Sequence, residues 1–459
     1  MQTLRRRDQL LVGFTLFSMF FGAGNLIFPP QLGAQAGVDT WPAMAGLAVS
    51  AVGLPILGVI AVVRSGSLTR LAGRVHPVFA TVFTILIYLS IGPCLAIPRT
   101  ASTSFEMAVP PFAGPDAPLG LLQLLYSLVF FAAALWVALR PEKLTDRLGK
   151  VMCPILILLI VVTFVGCLVN PLEGYGPPQD AAYAANPVAK GFLDGYQTMD
   201  TIAALVFGII ISLNIRAMGV EREEDVVKST VRAGWIAGAM LLAVYSMLAH
   251  VGALSGGAFP GAANGAVVLT NIVPALFGKT GSLLLAAIFV IACFNVCVGL
   301  ISSCGEYFSL LWPRLSYRGW AAMFAVVSMA IANAGLDLIL RISVPVQGGR
   351  NRQNIKRRQS IVISSTVIVI LRKRNTPSHN PKISVQLTFK IRIAAIDGII
   401  DIIKNVIDRI NKISTIRITG ERTCIKPIFS KINTRGSVKT ELDRTASRIT
   451  KQHFENLPI

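Results

Sequence analysis

With 53% hydrophobic and 14% charged residues and a mean hydropathy of +0.63, a chain of 459 residues is too apolar for a water-soluble globule and reads as an all-α polytopic membrane protein. Its formal charge of +20 would point to nucleic acid, but residues 1–346 hold 20 Lys and Arg against 16 Asp and Glu, whereas residues 347–459 hold 23 against 7. The excess belongs to the last quarter of the chain, so no nucleic-acid partner is expected and the lipid bilayer is the natural surrounding.

Taken in chain order, nine runs before residue 336 approach the roughly 20 apolar residues needed to cross a ~30 Å hydrocarbon core. They lie near 9–28, 41–63, 77–98, 119–139, 151–169, 191–213, 233–254, 281–305 and 319–335. If the N-terminus is cytoplasmic, the inner segments carry sixteen Lys and Arg, from Arg5, Arg6 and Arg7 to Arg314 and Arg318, and the outer loops carry only Arg99, Lys190 and Lys279. That bias supports both the number of spans and an N-terminus on the inner side. The first run followed by Ala34-Gln35-Ala36 also has the outline of a signal peptide, but its removal would invert every later loop. Six of the seven cysteines fall in apolar runs without a metal-pair spacing and are expected to pack as small hydrophobes.

Span one places Gly22, Ala23, Gly24 and Asn25 at its centre, with Pro29 and Pro30 expected to end its outer half. Irregular backbone inside a bilayer survives only where protein shelters it or where it lines a cavity. Glycine permits an unwound turn and the close approach of a ligand, although small residues also serve tight helix packing. A second irregular span comes five segments later, where "GFLDGYQTMDTIAALVFGIII" holds Asp194, Gly195, Asp200 and Gly208. Interruptions in spans one and six mark a five-plus-five inverted repeat with a binding site near the midplane.

Asp200 is the ionisable group of interest in the body; it reads either as a proton or cation partner or as the outer end of span six in water. Asn295, Ser302 and Ser303 in span eight offer oxygens to a small cation or, alternatively, interhelical hydrogen bonds. Soluble-enzyme chemistry finds no support: the four histidines are scattered, and there is no H-E-x-x-H, G-x-S-x-G or Walker A pattern. Neither an enzyme activity nor a cofactor is expected.

From Gln347 onward the composition changes to 23 Ile and four Leu, without Trp or Tyr. The domain division expected is a transmembrane body at 1–346, holding spans one to nine and the start of span ten, and a basic Ile-rich tail at 347–459. A frameshift or assembly error accounts for so abrupt a change within an element. Within the tail, Ile399, Ile402, Ile403, Val406, Ile407 and Ile410 share one helical face, as in a helix lying on a membrane surface.

The stretches "LFSMFFGAGNLIFPPQLGAQAG", "YLSIGPCLAIPRTASTSFE", "GYQTMDTIAALVFG" and "NAGLDLILRISVPV" resemble the bacterial branched-chain amino acid:cation symporter family, also called branched-chain amino acid transport system II carriers. The resemblance covers about residues 1–346. It implies a twelve-span inner-membrane carrier of leucine-transporter-like fold, taking up leucine, isoleucine and valine with Na⁺ or H⁺ as the co-transported ion. It implies that Gly22, Ala23, Gly24 and Asn25 offer N–H groups to the substrate carboxylate and carbonyls to the ion. It further implies that Ala203 to Gly208 form the matching break, with Ala203, Ala204, Phe207 and Gly208 at the substrate. Cation coupling would fall to Gly22, Asn25, Asp200, Asn295, Ser302 and Ser303. The chain departs from the family at Asn295 and Val296, where hydroxyl-bearing Thr is common, and in the tail, which replaces the rest of span ten and spans eleven and twelve. An inactive carrier with an out-of-frame tail is the alternative.

Overall fold

The computed structural model describes residues 4–333 except 115, 171–173 and 263. The start of span ten and the tail, with its expected surface helix, lie outside the described residues. Fifteen α-helices follow one another among the described residues, with no strand. Span one is α1 (Arg6–Phe20) and α2 (Ala23–Ala36), and span two is α3 (Thr40–Ala48) and α4 (Leu54–Arg64) joined by a π turn at Val49–Gly53. A short α5 (Leu68–Gly73) leads to span three, α6 (Pro77–Leu89) and α7 (Ala96–Ala108), joined by a π turn at Ser90–Cys94. Span four is α8 (Leu119–Ala138), and span five is α9 (Cys153–Val169) entered through a π-wound stretch at Thr145–Met152. After α10 (Ala181–Ala185), span six is α11 (Pro187–Tyr196) and α12 (Asp200–Ala217). Spans seven to nine are α13 (Glu223–Ala258), α14 (Gly265–Leu311) and α15 (Tyr317–Ala332).

Seven of the described helical stretches are long and apolar enough to cross a membrane by length and composition, against nine apolar runs in the sequence. Spans one and nine make the difference: the break cuts α1 to 15 residues, and α15 has 16. Lipid-facing sides are visible where α8 exposes Leu121, Leu125, Leu128 and Val129, and α9 exposes Ile155, Leu158, Val162 and Val165. Those apolar stripes would be an aggregation liability in water and are the expected surface in hydrocarbon. Five of the six described cysteines are buried free thiols.

The helices sort into two groups by what they touch. Both halves of span one pack on α13, while α11 packs on α3 and α12 on α4. Each broken span thus leans on the second span of the other repeat, and spans one, two, six and seven form one bundle. In the other group, α14 packs on α7, α8 and α15, and α15 also packs on α7 and α8, which ties together spans three, four, eight and nine; α14 packs on α2 and α12 as well, so span eight joins the two groups.

Small residues let the backbones of the first bundle touch. A Cβ on Gly252 would lie 2.1 Å from the Pro30 carbonyl oxygen, and one on Gly191 would lie 1.9 Å from that of Ala43. This is the close packing through which helices associate where lipid removes the hydrophobic drive. Pro29 and Pro30 do not end the outer half of span one, as expected from sequence; they lie inside α2, which runs on to Ala36. The intimate contact with α13 holds the helix together despite the two missing amide donors.

Candidate functional site

The break in span one is two extended residues, Phe21 and Gly22. Gly22 has φ −132° and ψ −156° between α1 and α2, and its amide donates to Asn25 Oδ1 at 3.1 Å. The first amides of α2 have no acceptor within their own helix, as at any helix start. A Cβ on Gly24 would lie 3.2 Å from both Cα and O of Thr198, so a larger residue here would press against the backbone of span six.

The break in span six is built differently. α11 ends at Tyr196, and α12 begins at Asp200 after Met199, whose φ of 68° is the only positive value at a non-glycine residue among those described. A side chain in this left-handed region costs about 1–2 kcal/mol and persists where the surroundings impose it. The Thr198 hydroxyl donates to the Gly195 carbonyl at 2.9 Å, which helps close the turn. The break therefore precedes Asp200. Ala203 to Gly208, expected to form it, are helical throughout, because nothing in that stretch interrupts the α-helical pattern.

One side chain joins the two breaks. The Asn25 amide donates to Asp200 Oδ2 at 2.5 Å and to the Tyr245 hydroxyl, which itself donates to the same Oδ2 at 3.1 Å. Asn25, Asp200 and Tyr245 are all buried. Asp200 does sit at a helix end, but that end is closed to water, and the N-terminal dipole of α12 favours its negative charge.

A cavity of about 50 Å³ opens beside this network, lined among the described residues by spans one, three, six and eight. It lies where the two bundles face each other. Its polar wall consists of Asn25, Arg99, Thr100, Thr198 and Asp200 with the backbone of Gly22 to Gly24, and Met19, Phe20, Ile91, Val296 and Leu300 supply apolar side chains. For comparison, an engineered apolar cavity of about 150 Å³ holds benzene, so this site must widen to admit a molecule the size of leucine.

Of the residues singled out from sequence, Gly22, Ala23, Gly24, Asn25, Asp200 and Ala203 line this cavity. The others lie behind it. The Phe207 ring meets that of Phe20 edge-on at 5.3 Å, Ala204 lies against Gly58 of span two, and Gly208 lies against Val62 and Val63. Asn295 is fully buried with neither side-chain atom hydrogen-bonded among the described residues; the Ser302 hydroxyl is likewise unpartnered, whereas Ser303 donates to the Gly299 carbonyl.

Arg99 is the main correction. Counted from sequence as an outer-loop charge, it lies inside α7, 6% exposed, and faces the cavity. The polar stretch after it, "TASTSFE", looks like a loop but continues the helix, because Thr100, Ser102 and Ser104 turn their hydroxyls back onto the carbonyls of Ile97, Pro98 and Ala101. Gly92-Pro93 and Pro98 around it were the available signal of a bent helix. Tyr245, Thr100 and Thr198 also escaped the sequence reading, since their residue types are ordinary for such positions, and Val296, named there only as a departure from the family, lines the cavity.

Among the described residues, seven helical stretches long and apolar enough to cross a membrane, with spans one and six both broken at one polar cavity, mark a multi-pass membrane protein of the leucine-transporter-like five-plus-five inverted-repeat fold. Of solved structures, that of MhsT in complex with L-phenylalanine superposes with a TM-score of 0.50 at 16% identity, covering 87% of this chain and 98% of that one. A model of the family described as branched-chain amino acid transport protein matches residues 5–411. Branched-chain amino acid permease BraB of Bacillus subtilis is 41% identical over 341 residues, 74% of this chain and 76% of the relative. The branched-chain amino acid transport system 2 carrier protein of Pseudomonas aeruginosa is 41% identical over 350 residues, 76% and 79% of the two chains. The chain belongs to the branched-chain amino acid transport protein family, a family of transporters and not of enzymes.

Proposed function

We propose that this chain carries leucine, isoleucine and valine across the bacterial cell membrane, driven by a Na⁺ or H⁺ gradient, with its N-terminus in the cytoplasm. The observation that carries the reading is the meeting of both interrupted spans at one cavity, where helix-start amides and a carboxylate adjoin apolar side chains suited to a branched hydrocarbon. The cavity lies between the two bundles, so rocking one against the other would expose it to each side of the membrane in turn. Ion and substrate shift that equilibrium only by binding its two states unequally.

Leucine uptake into proteoliposomes with Na⁺ and pH gradients imposed separately tests this. Accumulation driven by one gradient is expected; labelled leucine that neither accumulates nor exchanges across a sealed bilayer would end the proposal for the chain as it stands. The compositional change after Val346 favours a second reading, a body at 1–346 disabled by its tail. Uptake absent from the full chain but restored by a family-typical C-terminus would select that reading.

A further inference from the structure

We infer that Arg99 is the counter-charge for the carboxylate of the transported amino acid, and that Asp200 receives its ammonium group. The inference deepens the proposed function and rests on it. Among the described residues the ion pairs are those of Lys190 with Asp180 and Asp194, and of Arg216 with Glu223. The Arg99 guanidinium has no such partner, although it is buried and its Nε makes no hydrogen bond among the described residues. The opposite charge on the same cavity is Asp200, which forms no direct ion pair with it, and a buried guanidinium so incompletely matched has a bound anion as its natural complement. A planar guanidinium is the side chain best matched to a carboxylate.

Its position agrees with that role. Arg99 lines the cavity together with Gly22 to Gly24, and its Nη2 would lie 3.6 Å from a Cβ on Gly24. The guanidinium and the N-terminus of α2 thus converge on one place, and each favours an anion there. Its other neighbour is the ring of Phe28, whose centroid lies 5.9 Å from Cζ and supplies no formal charge.

Asp200 completes a two-charge site. The donors from Asn25 and Tyr245 both converge on Oδ2, and with Thr198 also beside the carboxylate its two oxygens, which can accept about four hydrogen bonds, keep room for one more donor. Arg99 and Asp200 interact electrostatically without forming a direct ion pair, which leaves an α-amino acid, with one charge of each sign on neighbouring atoms, to complement both. A site so built selects the zwitterion and excludes the bare amine or the bare acid of the same hydrocarbon chain.

The test measures binding to the purified full chain of leucine, leucinamide, 3-methylbutylamine and 4-methylpentanoate. The wild type is expected to prefer leucine over each analogue by about 100-fold, the scale of truncating one partner of a buried charge pair. Arg99→Gln should weaken leucine far more than leucinamide and bring the two to one level, and Arg99→Lys should restore part of the preference. A merely structural role for Arg99, or a role only as partner of Asp200, would weaken leucine and leucinamide equally and would overturn the inference. Should Arg99→Gln fail to fold, wild-type binding of leucinamide or the amine as tight as that of leucine overturns it without any variant. A wild type that binds leucine without this selectivity defeats the inference alone, whereas one that binds no amino acid defeats the transport proposal as well.

Discussion

The breaks in spans one and six meet at one cavity but are made of different chemistry. In span one the interruption is an extended Phe21-Gly22 pair, capped by the Asn25 side chain and followed at Gly24 by close contact with the neighbouring backbone. In span six it is Gln197-Thr198-Met199, which contains no glycine and is held by a strained left-handed methionine. The first break is written into residue type and needs little support. The second is imposed by its surroundings, with α11 packed on α3 and α12 on α4. Related positions in an inverted repeat therefore need not carry related sequence signals.

The largest effect on this comparison is expected from Gly24→Leu, which fills the contact between the breaks. Overpacking against backbone that cannot retreat should lower leucine uptake by about 100-fold or more. Normal transport by a well-expressed variant would remove the two breaks from the site. Asn25→Ala cuts the link instead: Asp200 loses one donor and the Gly22 amide its acceptor. At about 1–3 kcal/mol for buried groups left unpaired, a loss of about tenfold or more in leucine affinity is expected, readable by isothermal titration.

Strain at the second break is tested by stability rather than transport. Met199→Ile puts a β-branched residue at a positive φ and should lower stability by about 1–2 kcal/mol. Met199→Gly should keep or slightly raise the melting temperature, because relief of about 1–2 kcal/mol of strain outweighs or matches glycine's extra chain entropy of about 0.5–1 kcal/mol. Equal melting temperatures for the two variants would contradict a left-handed residue at this position. The smallest effect is expected from Gly208→Ala, in the continuous part of α12. Its Cβ would lie 3.3 Å from methyls of Val62 and Val63, a contact those side chains can accommodate. Uptake should stay within about twofold while the helix gains about 0.5–1 kcal/mol; a large loss of transport would return the break to Ala203–Gly208.

How much of this was legible in the sequence depends on how local each cause is. Gly22, Gly24 and Asn25 announce their break because residue type alone disfavours a continuous membrane helix there, and Asp200 stands out because a carboxylate within a span demands a reason. Arg99 sat one residue past an apolar run, before a stretch rich in hydroxyls, and a count of apolar residues closes the helix there. The hydroxyls are sheltered by bonds to their own helix, which a hydropathy count does not see.

The sequence by itself determined the all-helical membrane class, the positions of nine apolar runs in the body and the irregularity of spans one and six. Those are consequences of hydrophobic length and local backbone preference, which are encoded residue by residue. Only the tertiary structure decided that the second break precedes Asp200, that Asn25 and Tyr245 share the Asp200 carboxylate, and that Arg99 faces the cavity inside the protein. Each of these depends on which helix packs against which, and a buried charge or a strained residue gains its meaning only from the neighbours that hold it.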